Sequence, residues 1–347
     1  MQPPLITVLI DSYNYGRFIE DAIHSVLTQD FPKEQVEIIV VDDGSTDDTA
    51  ERVKQYGSRV QYFYKPNGGQ GSAFNLGLQK AKGEIVALLD ADDYWLPGKL
   101  QRIAEEFEKH PDAGMVYHRL REYNTRSGEE TDGPFVAVSG MVYSDRKRLL
   151  SYILYPTTAL AFRRRLLEPL LPIPEDLRIQ ADSHLSGLII FLAPIVAISE
   201  PLAVYRVHGG NLFFAQDAEG FTSERTQRRI ATRETLIKDM KSWLQAHGFN
   251  LRDRNIRAFF MQWFLCQEAD GFAGRTPGRF RFFRHLWRYN YYHWPRLSWR
   301  HLVVNYYHAF GSLVVGYKKF YLLDEWRFKV ASQLRRSLGR EPARASQ

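Results

Sequence analysis

Apolar positions along the first hundred residues fall into a repeated rhythm. Residues 6–10 form a short β-branched run that predicts a buried strand. A helix follows over about residues 17–28, with Phe18, Ala22, Ile23, Val26 and Leu27 on one face. Residues 36–41 make a second strand. Ser45 and Thr46 are placed to cap a helix reaching about residue 56, with Asp47 and Asp48 in its first turn, where the helix dipole favours them. Residues 60–64 predict a third strand, followed by a glycine-rich turn and a helix to about residue 80. A fourth strand, 85–89, runs directly into Asp90-Ala91-Asp92-Asp93. Pro97 then suits the first turn of a helix bearing Leu100, Ile103, Ala104 and Phe107. Strands alternating with helices imply an α/β fold with a mostly parallel sheet and right-handed crossovers.

From about residue 114 the rhythm loosens into short strands and loops. It returns with a helix over about 182–192, bearing Leu185, Leu188, Ile189 and Leu192, and a strand over 195–205 broken at Pro201. Beyond about residue 211 the chain reads as helical until a Gly/Pro interruption near 271–278. The polar residues 337–347 read as a disordered tail. No internal repeat is present. The expected organisation is a catalytic domain over 1–211, with a nucleotide-binding half (1–110) and an acceptor half (111–211), then a helical region over 212–336 and the tail.

With 347 residues, 44% hydrophobic and 25% charged, the chain is in the range of soluble globular proteins and long enough for a large core. Cys266 is its only cysteine, so no intrachain disulfide can form, which fits a reducing compartment. Residues 1–10 hold two prolines and no basic residue, unlike a secretory signal. No run reaches the roughly 18 apolar residues of a spanning helix. The nearest, 302–317, is interrupted by Asn305, His308 and Ser312. A cytoplasmic protein is expected.

Charge is unevenly placed. Residues 271–347 hold fifteen Lys/Arg against three Asp/Glu, a net of +12, which leaves −6 for the rest of a chain whose total is +6. The acidic part is therefore expected to hold a cation and a phosphate-bearing ligand, and the basic part to meet something anionic.

Ligands of open α/β sheets bind at the carboxyl ends of the strands, and here four such ends are polar. They carry Asp11-Ser12-Tyr13-Asn14, Asp42-Asp43-Gly44-Ser45, Asn67-Gly68-Gly69-Gln70-Gly71 and Asp90-Ala91-Asp92-Asp93. Clustered carboxylates repel one another unless a cation neutralises them, and hard ions such as Mg²⁺ or Mn²⁺ take oxygen ligands together with substrate phosphates. A solvated turn accounts for one acidic strand end; it does not account for several converging on one edge.

Val40-Val41-Asp42-Asp43-Gly44-Ser45-Thr46-Asp47, then Asn67-Gly68-Gly69, then Asp90-Ala91-Asp92-Asp93 at these spacings resembles glycosyltransferase family 2. The likeness is strong over about residues 4–108 and weaker over 109–211. It implies a GT-A (Rossmann-like) fold with a helical C-terminal extension. It also implies inverting, non-processive transfer of one sugar from a nucleotide-diphosphate-sugar of UDP type to an acceptor hydroxyl on a glycan or lipid-linked carrier. By the same resemblance Tyr13 lies against the base, and Asp43, with Asp42 nearby, meets the base edge. Asp90 and Asp92 match the DxD element, Asp92 as a ligand of a divalent cation and Asp90 at the ribose or cation, with Asp93 a further candidate ligand. Gly68, Gly69, Gln70 and the helix through Asn75 either face the donor or form a plain tight turn. Asp11 stands where the family carries an uncharged residue, often proline; it either contacts base or ribose or serves the loop.

Asp182, in Gln180-Ala181-Asp182-Ser183-His184-Leu185, resembles the family's catalytic base, against a capping role; Glu175-Asp176 reads as a surface turn. In Tyr205-Arg206-Val207-His208-Gly209-Gly210-Asn211, which resembles a segment closing over the donor, His208 is a candidate cation ligand and Arg206 a candidate phosphate contact.

Residues 271–347 also hold 18 of the 48 aromatics, interleaved with arginine. That pattern suits peripheral contact with an anionic membrane, an aromatic bundle or a homodimer interface. No nucleic-acid module accompanies it, so nucleic acid is not an expected partner. A sugar nucleotidyltransferase, or an inactive nucleotide-sugar-binding scaffold, stands as the alternative. The first usually has a Gly-rich basic loop after strand one, where this chain has Asp11-Ser12-Tyr13-Asn14.

Overall fold

A computed structural model describes residues 5–211 and 223–261, together with Trp263, Phe280, Phe283, Arg284, Trp287 and Arg288. The chain divides into two compact units, Met1–Phe260 and Met261–Gln347, and the fold below is that of the first. The basic, aromatic stretch of 271–347 and the polar tail lie, but for single residues, outside the described residues. No helix among the described residues is long and apolar enough to cross a membrane.

The expected alternation is present. In chain order come β1 (Ile6–Ser12), α1 (Gly16–Leu27), β2 (Val36–Asp42), α2 (Thr49–Lys54), β3 (Gln61–Tyr64), α3 (Gln70–Lys80), β4 (Ile85–Asp90), β5 (Tyr94–Trp95) and α4 (Lys99–Lys109). The second half adds β6 (Met115–Asn124), β7 (Glu130–Asp132), α5 (Arg146–Ser151), β8 (Leu160–Arg163), α6 (Ala181–Leu192), β9 (Ile195–Val207) and α7 (Ser223–Ala246), and residues 254–261 are again helical. One sheet runs β3-β2-β1-β4-β8-β6-β9-β5, with β7 on β6. β1 to β4 are mutually parallel; β8 is antiparallel to β4, and β6 is antiparallel to β8.

Burial explains the parallel half. β1, β2 and β4 are covered on both faces, so their apolar runs are continuous rather than alternating. α1 turns Ile19, Ala22, Ile23 and Val26 inward. Helix α3 lies so close to β1 that a Cβ on Gly77 would stand 2.2 Å from Leu9 Cδ1. The register matters most: Asp11 pairs with Asp90 and Ser12 with Asp42, so three strand ends deliver their acidic residues to one edge.

Four expectations are corrected. α2 starts at Thr49 rather than at Ser45, because Asp47 Oδ1 takes the Thr49 N–H (3.1 Å) and hydroxyl (2.5 Å) while Ser45 and Thr46 bond to Asn14. The region after residue 114 is not mainly loop: β6 runs ten residues. Its outer half is polar and only partly buried, so it carries no apolar period. β9 is continuous through Pro201; the proline, lacking an N–H, falls where the β6–β9 register shifts around Arg119. α6 is buried nearly all round, which blurs the one-sided pattern expected of it.

Candidate active site

The loops after β1 and β2 are stitched together. The Asn14 N–H donates to Ser45 Oγ (2.8 Å) and the Thr46 N–H to Asn14 Oδ1 (2.8 Å). Tyr13, beside this seam, is 47% exposed and offers an aromatic face at the rim. Asp42 is fully buried and closes its own turn: Oδ1 accepts the Ser45 N–H (2.7 Å) and Oδ2 the Tyr62 hydroxyl (2.7 Å).

Asp43 is the hub of the glycine turn. Its Oδ1 accepts from Lys65 Nζ (2.7 Å) and the Gly68 N–H (2.9 Å), and Oδ2 accepts the Gly69 N–H (2.6 Å). A carboxylate offers about four acceptor positions, so about one, on Oδ2, is left. Gly69 has φ +87° and a Cβ on it would lie 2.5 Å from Arg178 Cα, so the turn admits glycine there for two reasons. The next two N–H groups go to backbone as well, Gln70 to the Arg178 carbonyl and Gly71 to that of Leu177 (both 3.0 Å). The turn is thus closed on protein acceptors. Gln70's side chain donates Nε2–H to Thr157 Oγ1 (3.2 Å) and accepts the Ala181 N–H (3.0 Å). Asn75 is held in both directions by the Ile173 backbone (2.8 Å each).

The acidic turn follows β4. One oxygen from each of Asp90, Asp92 and Asp93 lies within 4.8 Å of the others. Asp93 has one hydrogen bond on each oxygen: Oδ1 accepts the Arg206 N–H (2.8 Å) and Oδ2 the Thr158 hydroxyl (2.5 Å). His208 reaches Asp92 Oδ2 through Nε2 at 2.9 Å. Its Nδ1 accepts the Gly210 N–H (3.1 Å), so in the neutral ring the hydrogen sits on Nε2 and points at Asp92. Tyr15 and Phe18 pack on the imidazole, with centroids 5.8 and 4.9 Å away.

Crowding sets the electrostatics. Burial and the Asp11 charge, then those of Asp93 and Asp92, hold Asp90 well above the usual carboxylate range. Burial, with Asp92 beside it, does the same for Asp93. Asp11 is pushed up to about 7 by burial and by Asp92, and its Oδ1 has no hydrogen-bond partner among the described residues. Such oxygens fit a hard divalent cation, with Asp90 and Asp92 the less engaged members.

Arg206 is 8% exposed, and its guanidinium lies over Phe18 and Tyr94 (5.2 and 4.7 Å) while Nη2 pairs with Asp21 at 2.6 Å. Asp182 is not an N-cap. Gln180 occupies that position, with φ 63°, and Asp182 lies inside the first turn of α6. Its Oδ1 accepts the Ser183 N–H (2.7 Å), its Oδ2 the Thr157 hydroxyl (3.2 Å), and burial raises it to about 6. Glu175 and Asp176 are exposed in a turn.

Sequence reasoning missed Thr157, Thr158 and Lys99. Lys99 is 0% exposed, donates to the Thr158 carbonyl (2.7 Å) and lies 4.0 Å from the Trp95 ring. A signal for it existed: residues 99, 103 and 107 share one helix face, so a lysine stood on the buried stripe of Ile103 and Phe107. The two threonines carry no such signal, because strand pairing alone brings them to the site.

The pattern of the family described as "Glycosyl transferase family 2" matches residues 7–171. An uncharacterised glycosyltransferase of Nostoc sp. is 35% identical over 257 residues, covering 71% of this chain and 78% of the relative. Another, of Mycoplasma pneumoniae, is 32% identical over 213 residues, covering 60% and 69%. Among solved structures, S. aureus TarS 1-349 in complex with UDP superposes with a TM-score of 0.53 at 20% identity, over 90% of this chain and 91% of the other. A mannosyltransferase, PcManGT of Pyrobaculum calidifontis, in complex with GDP-Man and Mn²⁺, gives 0.53 at 20% identity, over 98% and 89%. At that identity the two structures establish a shared GT-A fold.

Proposed function

The chain belongs to glycosyltransferase family 2, and on that premise we propose that it moves a single sugar, with inversion, from a nucleotide-diphosphate-sugar of UDP type to an acceptor hydroxyl on a glycan or lipid-linked carrier. Tyr13 stacks on the base, and the last free position on Asp43 Oδ2 accepts a base N–H. Asp11 faces the ribose. A divalent cation, Mn²⁺ or Mg²⁺, held by Asp90 and Asp92, would supply positive charge to the leaving diphosphate, and His208 orients Asp92 by donating its Nε2–H to Oδ2 rather than ligating the cation. Asp93 holds the turn in shape through Arg206 and Thr158, and the positions left on its oxygens keep it a further candidate ligand. Asp182 accepts the proton of the attacking hydroxyl, and its pKa of about 6 leaves it ionised at neutral pH yet basic enough to take that proton.

The observation that carries this reading is the gathering of Asp11, Asp90, Asp92 and Asp93 at one sheet edge, with Asp182 near enough for its charge to raise Asp90. The anionic-membrane contact expected of residues 271–347 would suit a lipid-linked acceptor. The reading is tested by nucleoside diphosphate release from a panel of nucleotide-sugars, with and without Mn²⁺. A cation-dependent release that Asp92→Ala abolishes is expected. Full release without cation, or from the Asp92→Ala protein, refutes the proposal.

A further inference from the structure

The link between the two sides of this site runs through one dipeptide. β8 pairs antiparallel with β4, Ala161 opposite Ala87, so the residues just before β8 pass the end of β4 where the acidic turn begins. There the chain makes a single 3₁₀ turn, Thr157–Ala159, after Pro156. Both threonines are buried.

Each hydroxyl has one proton and each proton has a fixed destination. Thr158 Oγ1 accepts the Asp90 N–H (3.1 Å) and donates to Asp93 Oδ2 (2.5 Å). Thr157 Oγ1 accepts Gln70 Nε2–H (3.2 Å) and donates to Asp182 Oδ2 (3.2 Å). Gln70 completes a loop by accepting the Ala181 N–H at the start of α6 (3.0 Å). Adjacent residues therefore hold the acidic turn on one side and Asp182 on the other, in a turn too short to let them move apart.

We propose that Thr157 is a positioning residue that fixes the orientation and charge state of Asp182, with Thr158 tying that orientation to the acidic turn. The proposal rests on the reading of Asp182 as the proton acceptor. Without the Thr157 hydroxyl, Asp182 loses the one side-chain donor that reaches Oδ2 across the site and is left with Ser183 and the Thr157 backbone as its donors, which hold it less firmly in one orientation. The described ionisable groups that share its field are Asp90 at the end of β4 and Tyr152 after α5. Neither bonds to the Thr157 hydroxyl, so its removal acts directly on Asp182.

The test compares wild type with Thr157→Val, which keeps the shape and removes the donor, and Thr157→Ser, which restores it. Donor turnover as nucleoside diphosphate release, affinity for UDP and GDP by calorimetry, and the Asp182 carboxyl titration by ¹³C NMR are measured on each. Thr157→Val is expected to lower kcat tenfold or more with nucleotide affinity within twofold. It should also raise the pKa of Asp182, since a hydrogen bond to the charged form is lost, and Thr157→Ser should recover both. An unchanged titration and rate in Thr157→Val overturns the proposal; so does a loss of nucleotide affinity as large as the loss of rate. Asp182→Asn separates the two levels: if it turns over at the wild-type rate the proton-acceptor reading fails. If it is inactive while Thr157→Val is normal, only the positioning role fails. Should Thr157→Val not fold, Thr157→Ala carries the same expectations, and the NMR titration needs no turnover.

Discussion

Replacing Asp182 with asparagine keeps the side chain's size and removes its capacity to take a proton. Burial raises the Asp182 carboxyl to about 6. At that value the wild-type group is about 97% ionised at pH 7.5 and about 90% protonated at pH 5, so kcat/KM should fall about tenfold from its plateau to pH 5. The asparagine protein should lose roughly 10²–10⁴ in kcat, equivalent to about 3–5 kcal/mol of barrier, and its acid limb should vanish. Stability should change less. The aspartate receives the Ser183 N–H on one oxygen and the Thr157 hydroxyl on the other. Asparagine has one carbonyl oxygen, so one of the two contacts is lost, at about 1–2 kcal/mol, but the charge that burial disfavours above about pH 6 goes with it, so the Tm at pH 7.5 should not fall. UDP affinity should stay within about twofold, because Asp182 is assigned to the acceptor and not to the nucleotide. Nucleoside diphosphate release measured from pH 4.5 to 9, with a calorimetric UDP titration beside it, reads all of these. A variant within tenfold of the wild-type rate, or one that keeps the same acid limb, refutes the argument.

Tyr13→Ala should weaken UDP by about 1–3 kcal/mol, the cost of losing one aromatic platform, and unchanged affinity in calorimetry would remove the stacking role. Gly69→Ala should lower Tm by roughly 2–6 °C or more, because a Cβ there meets Arg178 Cα at 2.5 Å with φ at +87°; an unaltered melting curve would contradict the described turn. Asp11→Asn should raise the Tm of the ligand-free protein at pH 7.5 and much less at pH 5. The sign follows from Asp11's raised pKa of about 7: the folded state holds a proton that the unfolded chain releases near 3.8, so its contribution to stability declines as pH rises through that window. An Asp11→Asn protein equally stabilised at both pH values would show that the crowding is not electrostatic.

The parallel half was legible because its physics is local to each strand. β1, β2 and β4 are buried on both faces, so their apolar runs stand out, and their acidic ends follow in the next residues. The site's second half was not. β6 is recognisable only once β8 and β9 flank it, since half of its residues are polar or partly exposed. Thr157 is made relevant by Gln70, which precedes it by 87 residues, and by Asp182, which follows it by 25. Asp47 shows a smaller failure of the same kind: any of four polar residues after β2 can cap a helix, and the choice is made when Asn14, on another loop, claims Ser45 and Thr46.

Asp43 carries a lesson for anyone wishing to retune which donor this protein accepts. Three of its hydrogen bonds are anchors for the glycine turn, so a library that randomises position 43 would mostly return collapsed loops and be misread as a map of base preference. Diversity is better introduced at Tyr13, whose exposed ring carries no comparable scaffolding duty.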